Sequence, residues 1–251
     1  MTQPATLIDS PSRRGFLGGL GLTALAVALP IAPALAAERG IAVELFTSQG
    51  CSSCPPAERL LAELADDPEI VALSYHVQYW DHIGWRDPYG DPRCQERQEH
   101  YRAWLNTRFL YTPQMVVGGR FDVVGSHRAE VAQRIEEAGQ APQVAMQVME
   151  SHVGPSVSLP TGSVGPKGAV LLAVRYLREA TTKVKRGENA GRTLRERNIV
   201  RDLQRLTVWA GEERIVPLPA GPDREHGQAV LLQDLASGRI LAAAKRPAGL
   251  A

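Results

Sequence analysis

Apolar and polar positions along residues 41–140 follow two periods. Val43, Leu45 and Phe46 make a short apolar run closed by Thr47-Ser48-Gln49-Gly50, the pattern of a core strand entering a turn. Leu60, Leu61 and Leu64 then recur at helical spacing behind Pro55-Pro56. Prolines suit a first helical turn, whose N–H groups have no partner within the helix. A helix is therefore predicted from about Pro55 to Ala65, and Asp66-Asp67-Pro68 breaks it. Ile70 to Tyr79 alternates, with Val71, Leu73, Tyr75 and Val77 on one side, and predicts a second strand. Trp85 to Pro92 reads as a loop, and a helix follows from about Pro92 to Asn106. Two short apolar strands then flank Gly118-Gly119, a two-residue hairpin turn. Ser126 offers an N-cap for a helix ending near Ala138. The order is β-α-β-α-β-β-α. A crossover helix makes the first two strands parallel, and a tight turn makes the last two antiparallel.

Beyond Ala141-Pro142 the texture changes. Val144 to Val148, Val157 to Leu159, Ala169 to Leu177, Leu206 to Trp209, Ile215 to Leu218, Ala229 to Gln233 and Ile240 to Ala243 read as strands separated by Gly/Pro-containing turns. Such a series predicts a β-rich, sandwich-like second unit, with a boundary near Gln140. The division is then 37–140 for the α/β unit and 141–251 for the β-rich unit.

The N-terminus stands apart from this patterning. Ser12-Arg13-Arg14-Gly15-Phe16-Leu17 resembles the twin-arginine export motif. A moderately apolar stretch and Ala34-Leu35-Ala36, a small-residue cleavage pattern, follow it. Residues 1–36 are thus expected to be a signal peptide. The mature chain is expected in the bacterial periplasm or beyond, with no membrane span left after cleavage; an uncleaved anchor is the alternative. Export places the cysteines where disulfides form. The 251-residue chain is 44% hydrophobic, enough to bury a real core. Its net charge of +1 gives no reason to expect nucleic acid or a membrane surface as partner.

Cys51-Ser52-Ser53-Cys54 is the stretch with the most chemistry. It lies between the first strand and the Pro55-Pro56 helix start. Unpaired N–H groups and the helix dipole favour a thiolate there, lowering a thiol pKa from about 8.5 to roughly 3.5–7.5. Such a thiolate attacks a disulfide, and a thiol three positions on resolves the mixed disulfide. Half a zinc site and an inert structural disulfide are the other readings of the pair. No second CxxC or Cys/His pair at ligand spacing follows.

The arrangement from Ile41 onward looks like the thioredoxin fold, a three-layer α/β fold with a mixed sheet. Thr112-Pro113 before the third strand is similar to that superfamily's cis-proline element. The resemblance implies a cis Pro113 beside Cys51, and an exposed Cys51 as nucleophile with Cys54 as resolving thiol. A Trp before the CxxC and a Gly-Pro between the cysteines are typical of thioredoxin; here Gly50 and Ser52-Ser53 stand in those places. A closer likeness extends over nearly the whole mature chain. Phe46 to Pro56, Tyr79-Trp80-Asp81, Gly84-Trp85, Asp87-Pro88, Tyr111 to Gln114, Arg186-Gly187-Glu188-Asn189 and Gly191 to Leu194 together resemble the secreted thioredoxin-like family catalogued as domain of unknown function 1223. That family implies fold and compartment, and no reaction.

The expected function is thiol–disulfide exchange with protein or small thiol and disulfide partners, without a cofactor. Cys51, Cys54 and Pro113 are the expected catalytic residues, and Thr112 and Trp80 would contact substrate. No metal ligand is assigned. The alternative is a periplasmic metal-handling (copper) or binding module that keeps the fold without turnover. His76, His82 and Asp81 could supply a base near Cys51 that helps proton transfer during exchange, or with the cysteines make a copper or zinc site. More simply, they are strand-end polar groups satisfied by backbone. Cys94 is an odd free thiol, and the arginine-rich run Lys183 to Arg205 is either a salt-bridged surface or a guanidinium cluster facing an anionic partner.

Overall fold

Pairing of the central strands sets the frame. The computed structural model describes residues 40–150, 154–219, 221 and 223–246; the twin-arginine segment lies outside them. Strand β1 (Ile41–Thr47) pairs in parallel with β2 (Ile70–His76), the two linked by helix α1 (Pro55–Leu64). On its other side β1 pairs antiparallel with β3 (Gln114–Val117), which turns through Gly118-Gly119 into β4 (Phe121–Val124). Helix α2 (Pro92–Trp104) precedes β3, and α3 (Arg128–Gly139) follows β4. β2 ends three residues before the alternation in the sequence does, because the chain turns at Val77 into a short helical turn at Asp81–Ile83. The residue preceding α3 is His127 rather than Ser126, and no side chain caps that helix.

Side-chain alternation sends β1 into two cores. Val43 and Leu45 pack with Ala57, Leu60 and Leu61 of α1 and Val131 and Ala138 of α3. Ala42 and Phe46 face the opposite way and pack with Cys94 and Tyr101 of α2. Helices thus cover both faces of this half of the sheet.

The sheet does not stop at Gln140, where the sequence suggested a boundary. Strand β8 (Thr193–Trp209) joins β2 in parallel at Ser74 and Ile199. β7 (Ala169–Lys183), β10 (His226–Asp234) and β11 (Ile240–Arg246) continue it. The result is one mixed eight-stranded sheet, β11-β10-β7-β8-β2-β1-β3-β4. The pairing supplies partners to an edge that β2 would otherwise expose. A three-stranded sheet of β5 (Gln147–Met149), β6 (Ser156–Leu159) and β9 (Arg214–Pro217) packs on the distal half. Val157, Leu159 and Val216 meet Leu171, Trp209, Val230 and Leu232 there. The sandwich-like packing is therefore local, resting on strands of the shared sheet.

A buried polar clamp ties the halves together. Arg97 of α2 donates to Glu44 of β1 (2.6 Å) and to Gln233 of β10 (3.1 Å), and Tyr101 also donates to Glu44. The Arg97 guanidinium lies over the rings of Tyr75 and Tyr101, at 5.4 and 5.1 Å from their centroids. A charge buried to this degree is tolerated because each of its polar faces has a partner.

Candidate functional site

The β1–α1 turn builds the site by local hydrogen bonding. Gly50 N–H donates to Ser48 Oγ and Cys51 N–H to Ser48 O, both at 3.1 Å. Cys54 occupies the N-cap of α1, with prolines in the first helical positions. Cys51 and Cys54 are joined in a disulfide with their Cα atoms 5.5 Å apart, a separation ordinary for such a bond. Ser52 and Ser53 are exposed, yet each cysteine is only 1% exposed. Cys51 therefore does not take the exposed position that the thioredoxin resemblance implies.

What covers it is the turn between β7 and β8, far away in sequence. Asn189, fully buried, donates through Nδ2 to Gln49 O and to Cys51 O, both at 2.9 Å. Ser52 N–H donates to Glu188 Oε2 at 3.0 Å, and the hydrogen bonds from Ser52 hold that carboxyl below the usual glutamate range. Gly187, at a φ of 74°, lies so close to Trp85 that a Cβ there would stand 3.1 Å from Trp85 Cβ. Residues 187–189 thus form a latch over the disulfide.

Thr112 and Trp80 come together on another side. Trp80 Nε1 donates to Thr112 Oγ1 at 2.7 Å, and a Cβ on Gly50 would lie 3.0 Å from Trp80 Cβ. The small residue before Cys51 therefore makes room for Trp80. The Thr112–Pro113 peptide is cis, and Pro113 O accepts from Gly125 N–H at 2.9 Å.

Beneath the turn lies a buried charged network. His76 Nδ1 and Asp87 Oδ2 are 2.8 Å apart with both side chains fully buried. Asp87 Oδ2 also accepts from Gln49 N–H (2.8 Å), and Gln49 Nε2 donates to Glu196 Oε2 (2.7 Å). Trp85 Nε1 donates to Gln49 Oε1 at 3.1 Å, and Ser74 Oγ to Glu58 Oε1 at 3.4 Å. Burial opposes the His76 charge, but Asp87 outweighs it and raises the imidazole pKa to about 9. Burial likewise opposes ionisation of Asp87, and His76 overcomes it, leaving the carboxyl below its ordinary value. Burial raises Glu58, and lifts Glu196 to about 7. These are environments in which protons or cations are held rather than ordinary surface carboxylates.

Other candidates lie elsewhere. His82 Nδ1 contacts Tyr79 O at 2.8 Å, and Asp81 accepts from Asp87 N–H at 3.0 Å, so these two satisfy backbone. Cys94 is free and buried, and burial pushes its thiol up to about 12. The run Lys183 to Arg205 belongs mostly to β8, and two of its charges pair with residues distant in sequence: Arg197 with Asp66 at 2.5 Å, Asp202 with Arg93 at 2.8 Å. Gln49, Asp87, Glu188 and Asn189 lie in the stretches of family resemblance, with no role assigned from sequence. Glu58 and Glu196 escape the sequence reading: the first interrupts a helical apolar face and the second sits in a charged run.

Comparison with known proteins places this geometry. The profile described as "Protein of unknown function (DUF1223)" matches residues 42–233. No curated protein matches. A crystal structure of protein AGR_C_4864 from Agrobacterium tumefaciens is similar at 31% identity and a TM-score of 0.70, over 84% of this chain and 95% of that one. HBP35 of Porphyromonas gingivalis shares the fold at 13% identity and a TM-score of 0.55, over 85% of this chain and 76% of that one. The chain belongs to the family of proteins of unknown function designated DUF1223.

Proposed function

We propose that the chain is an exported thiol–disulfide oxidoreductase on a thioredoxin-like fold, working through Cys51 and Cys54. The observation that carries this reading is the Cys51–Cys54 disulfide at the N-terminus of α1. The cis Thr112–Pro113 peptide, with Trp80 bonded to Thr112 and packed on Gly50, supports it. A substrate thiolate attacks Cys51 Sγ, the disulfide breaks, and the electron pair leaves on Cys54 Sγ, which takes up a proton. The substrate's second thiolate then attacks its own sulfur in the mixed disulfide. Cys51 leaves as a thiolate stabilised by the helix N-terminus, the substrate is oxidised and the pair reduced. The reverse sequence reduces a substrate. Because each cysteine is 1% exposed, residues 187–189 release before attack. The twin-arginine segment supports a periplasmic or secreted setting, where thiol and disulfide partners occur.

The same burial favours a second reading, a binding module whose disulfide is structural and does not turn over. The experiment that separates them uses purified mature protein with a reduced dithiol peptide. Exchange predicts oxidation of the reduced peptide by wild type, its loss in Cys51→Ser, and, when Cys54→Ser meets the peptide in its disulfide form, a trapped mixed disulfide through Cys51 with the peptide's other sulfur released as a thiol. No oxidation or reduction of any dithiol or disulfide peptide, and no trapped species, refutes the exchange reading.

A further inference from the structure

One turn of α1 beyond the disulfide, three buried side chains from three elements converge. Glu58 of α1, His76 of β2 and Glu196 of β8 each offer a donor atom, and these atoms lie within 4.8 Å of one another. We propose that Glu58, His76 and Glu196 form a binding site for a divalent first-row transition ion, a site separate from the cysteines and independent of whether the disulfide turns over.

Unmet donor capacity is the first argument. His76 Nε2 and Glu58 Oε2 are buried and have no hydrogen-bond partner. A buried polar atom left unpaired costs about 1–3 kcal/mol, and two of them beside a third donor mark a place built for something else. The remaining polar atom of each ligand is meanwhile held. Asp87 holds His76 Nδ1 at 2.8 Å, Gln49 holds Glu196 Oε2 at 2.7 Å, and Ser74 holds Glu58 Oε1 at 3.4 Å. A histidine whose far nitrogen faces a carboxylate while its near nitrogen points at a cation is the usual outer support of a metal site.

Charge points the same way. Three carboxyl groups, Glu58, Asp87 and Glu196, surround one imidazole in a nearly solvent-free space, and once they are ionised His76 alone cannot balance them. A divalent cation supplies the missing positive charge. One nitrogen and carboxylate oxygens suit a borderline ion such as zinc, with a further position left for water. Zinc bonds of about 2.0–2.2 Å put tetrahedral donors about 3.4 Å apart, so closing from within 4.8 Å requires side-chain shifts of about 1 Å. A cavity of about 230 Å³, lined by Pro55, Arg59, Thr193 and Arg195, has Glu58 and Glu196 in its wall.

The test uses the mature chain with its disulfide intact, which keeps the sulfurs out of play. The protein is stripped with a chelator, equilibrated with zinc alone, and its zinc counted by elemental mass spectrometry. The proposal expects about one zinc per chain, an X-ray absorption first shell of nitrogen and oxygen without sulfur, and a zinc-dependent rise in unfolding temperature. Glu58→Gln and Glu196→Gln each weaken binding more than about tenfold. Asp87→Asn, which removes the carboxylate behind His76 without touching a proposed ligand, weakens it by about 10- to 100-fold. Should Glu58→Gln fail to fold, the other two variants carry the test. The proposal is overturned if the oxidised chain retains no zinc, if zinc binds only the reduced chain through sulfur, or if the variants bind as wild type does. In those cases His76 is a buried ion pair without a metal role.

Discussion

Asn189 is the residue whose removal most directly tests the latch over the disulfide. Its Nδ2 makes two hydrogen bonds of 2.9 Å, one to Cys51 O itself, from a fully buried position. Asn189→Ala removes both when the turn is closed, and leaves Cys51 O with only the 3.3 Å bond from Cys54 N–H. At about 0.5–1.5 kcal/mol per bond, the closed arrangement loses about 1–3 kcal/mol. That shift corresponds to an open population about 5- to 150-fold larger. If a reductant reaches the disulfide only in the open form and closing is fast, the rate of reduction rises by the same factor. The assay is pseudo-first-order reduction of the oxidised mature chain by dithiothreitol, quenched with a maleimide that adds mass to each free thiol. A weak dependence of the rate on urea identifies local opening, whereas a steep one signals global unfolding. A rate within about twofold of wild type refutes the latch, because that factor is worth only about 0.4 kcal/mol. A rate increase that vanishes once global unfolding is subtracted refutes it equally.

Three other perturbations probe the frame. Glu44→Gln leaves the Arg97 guanidinium, which is 6% exposed, without its carboxylate, and urea denaturation should show a loss of about 3–5 kcal/mol. A loss below about 1 kcal/mol contradicts the clamp. Gly119 sits at a φ of 62° with Gly238 O where its Cβ would be, so Gly119→Ala should lower stability by more than about 2 kcal/mol, read as a fall in Tm. Cys94, buried and with its thiol pushed up to about 12, stays neutral at pH 8; iodoacetamide should leave it unmodified in the native chain and label it after unfolding. Rapid native labelling contradicts its burial.

The elements from β1 to α3 are legible in the sequence because their apolar periods are strong and their breaks carry Gly or Pro. β8 is not legible over most of its length. Thr193 to Arg205 is rich in arginine and glutamate, only Glu196 and Asn198 to Val200 of it are buried, and its ladder with β7 holds the rest. The sequence reads Leu206 to Trp209 alone as strand for that reason. Continuity of the sheet across Gln140 is hidden too, since Ser74 and Ile199 meet only in the folded chain. At the site, the CxxC and its place at a helix start are local features and readable. The burial of Cys51 is not, because Ser52 meets Glu188 across 136 residues of sequence. Glu58 looks like a polar interruption of the α1 face, and Glu196 like one charge among many; only the packing of α1 against β2 and β8 brings them to His76.

The reduction potential of the Cys51–Cys54 pair, measured by equilibration with glutathione or thioredoxin redox buffers, tests the exchange reading most directly. The account predicts a value between about −270 and −120 mV, the span of known exchange catalysts. A value below about −300 mV identifies an inert structural bond and contradicts it.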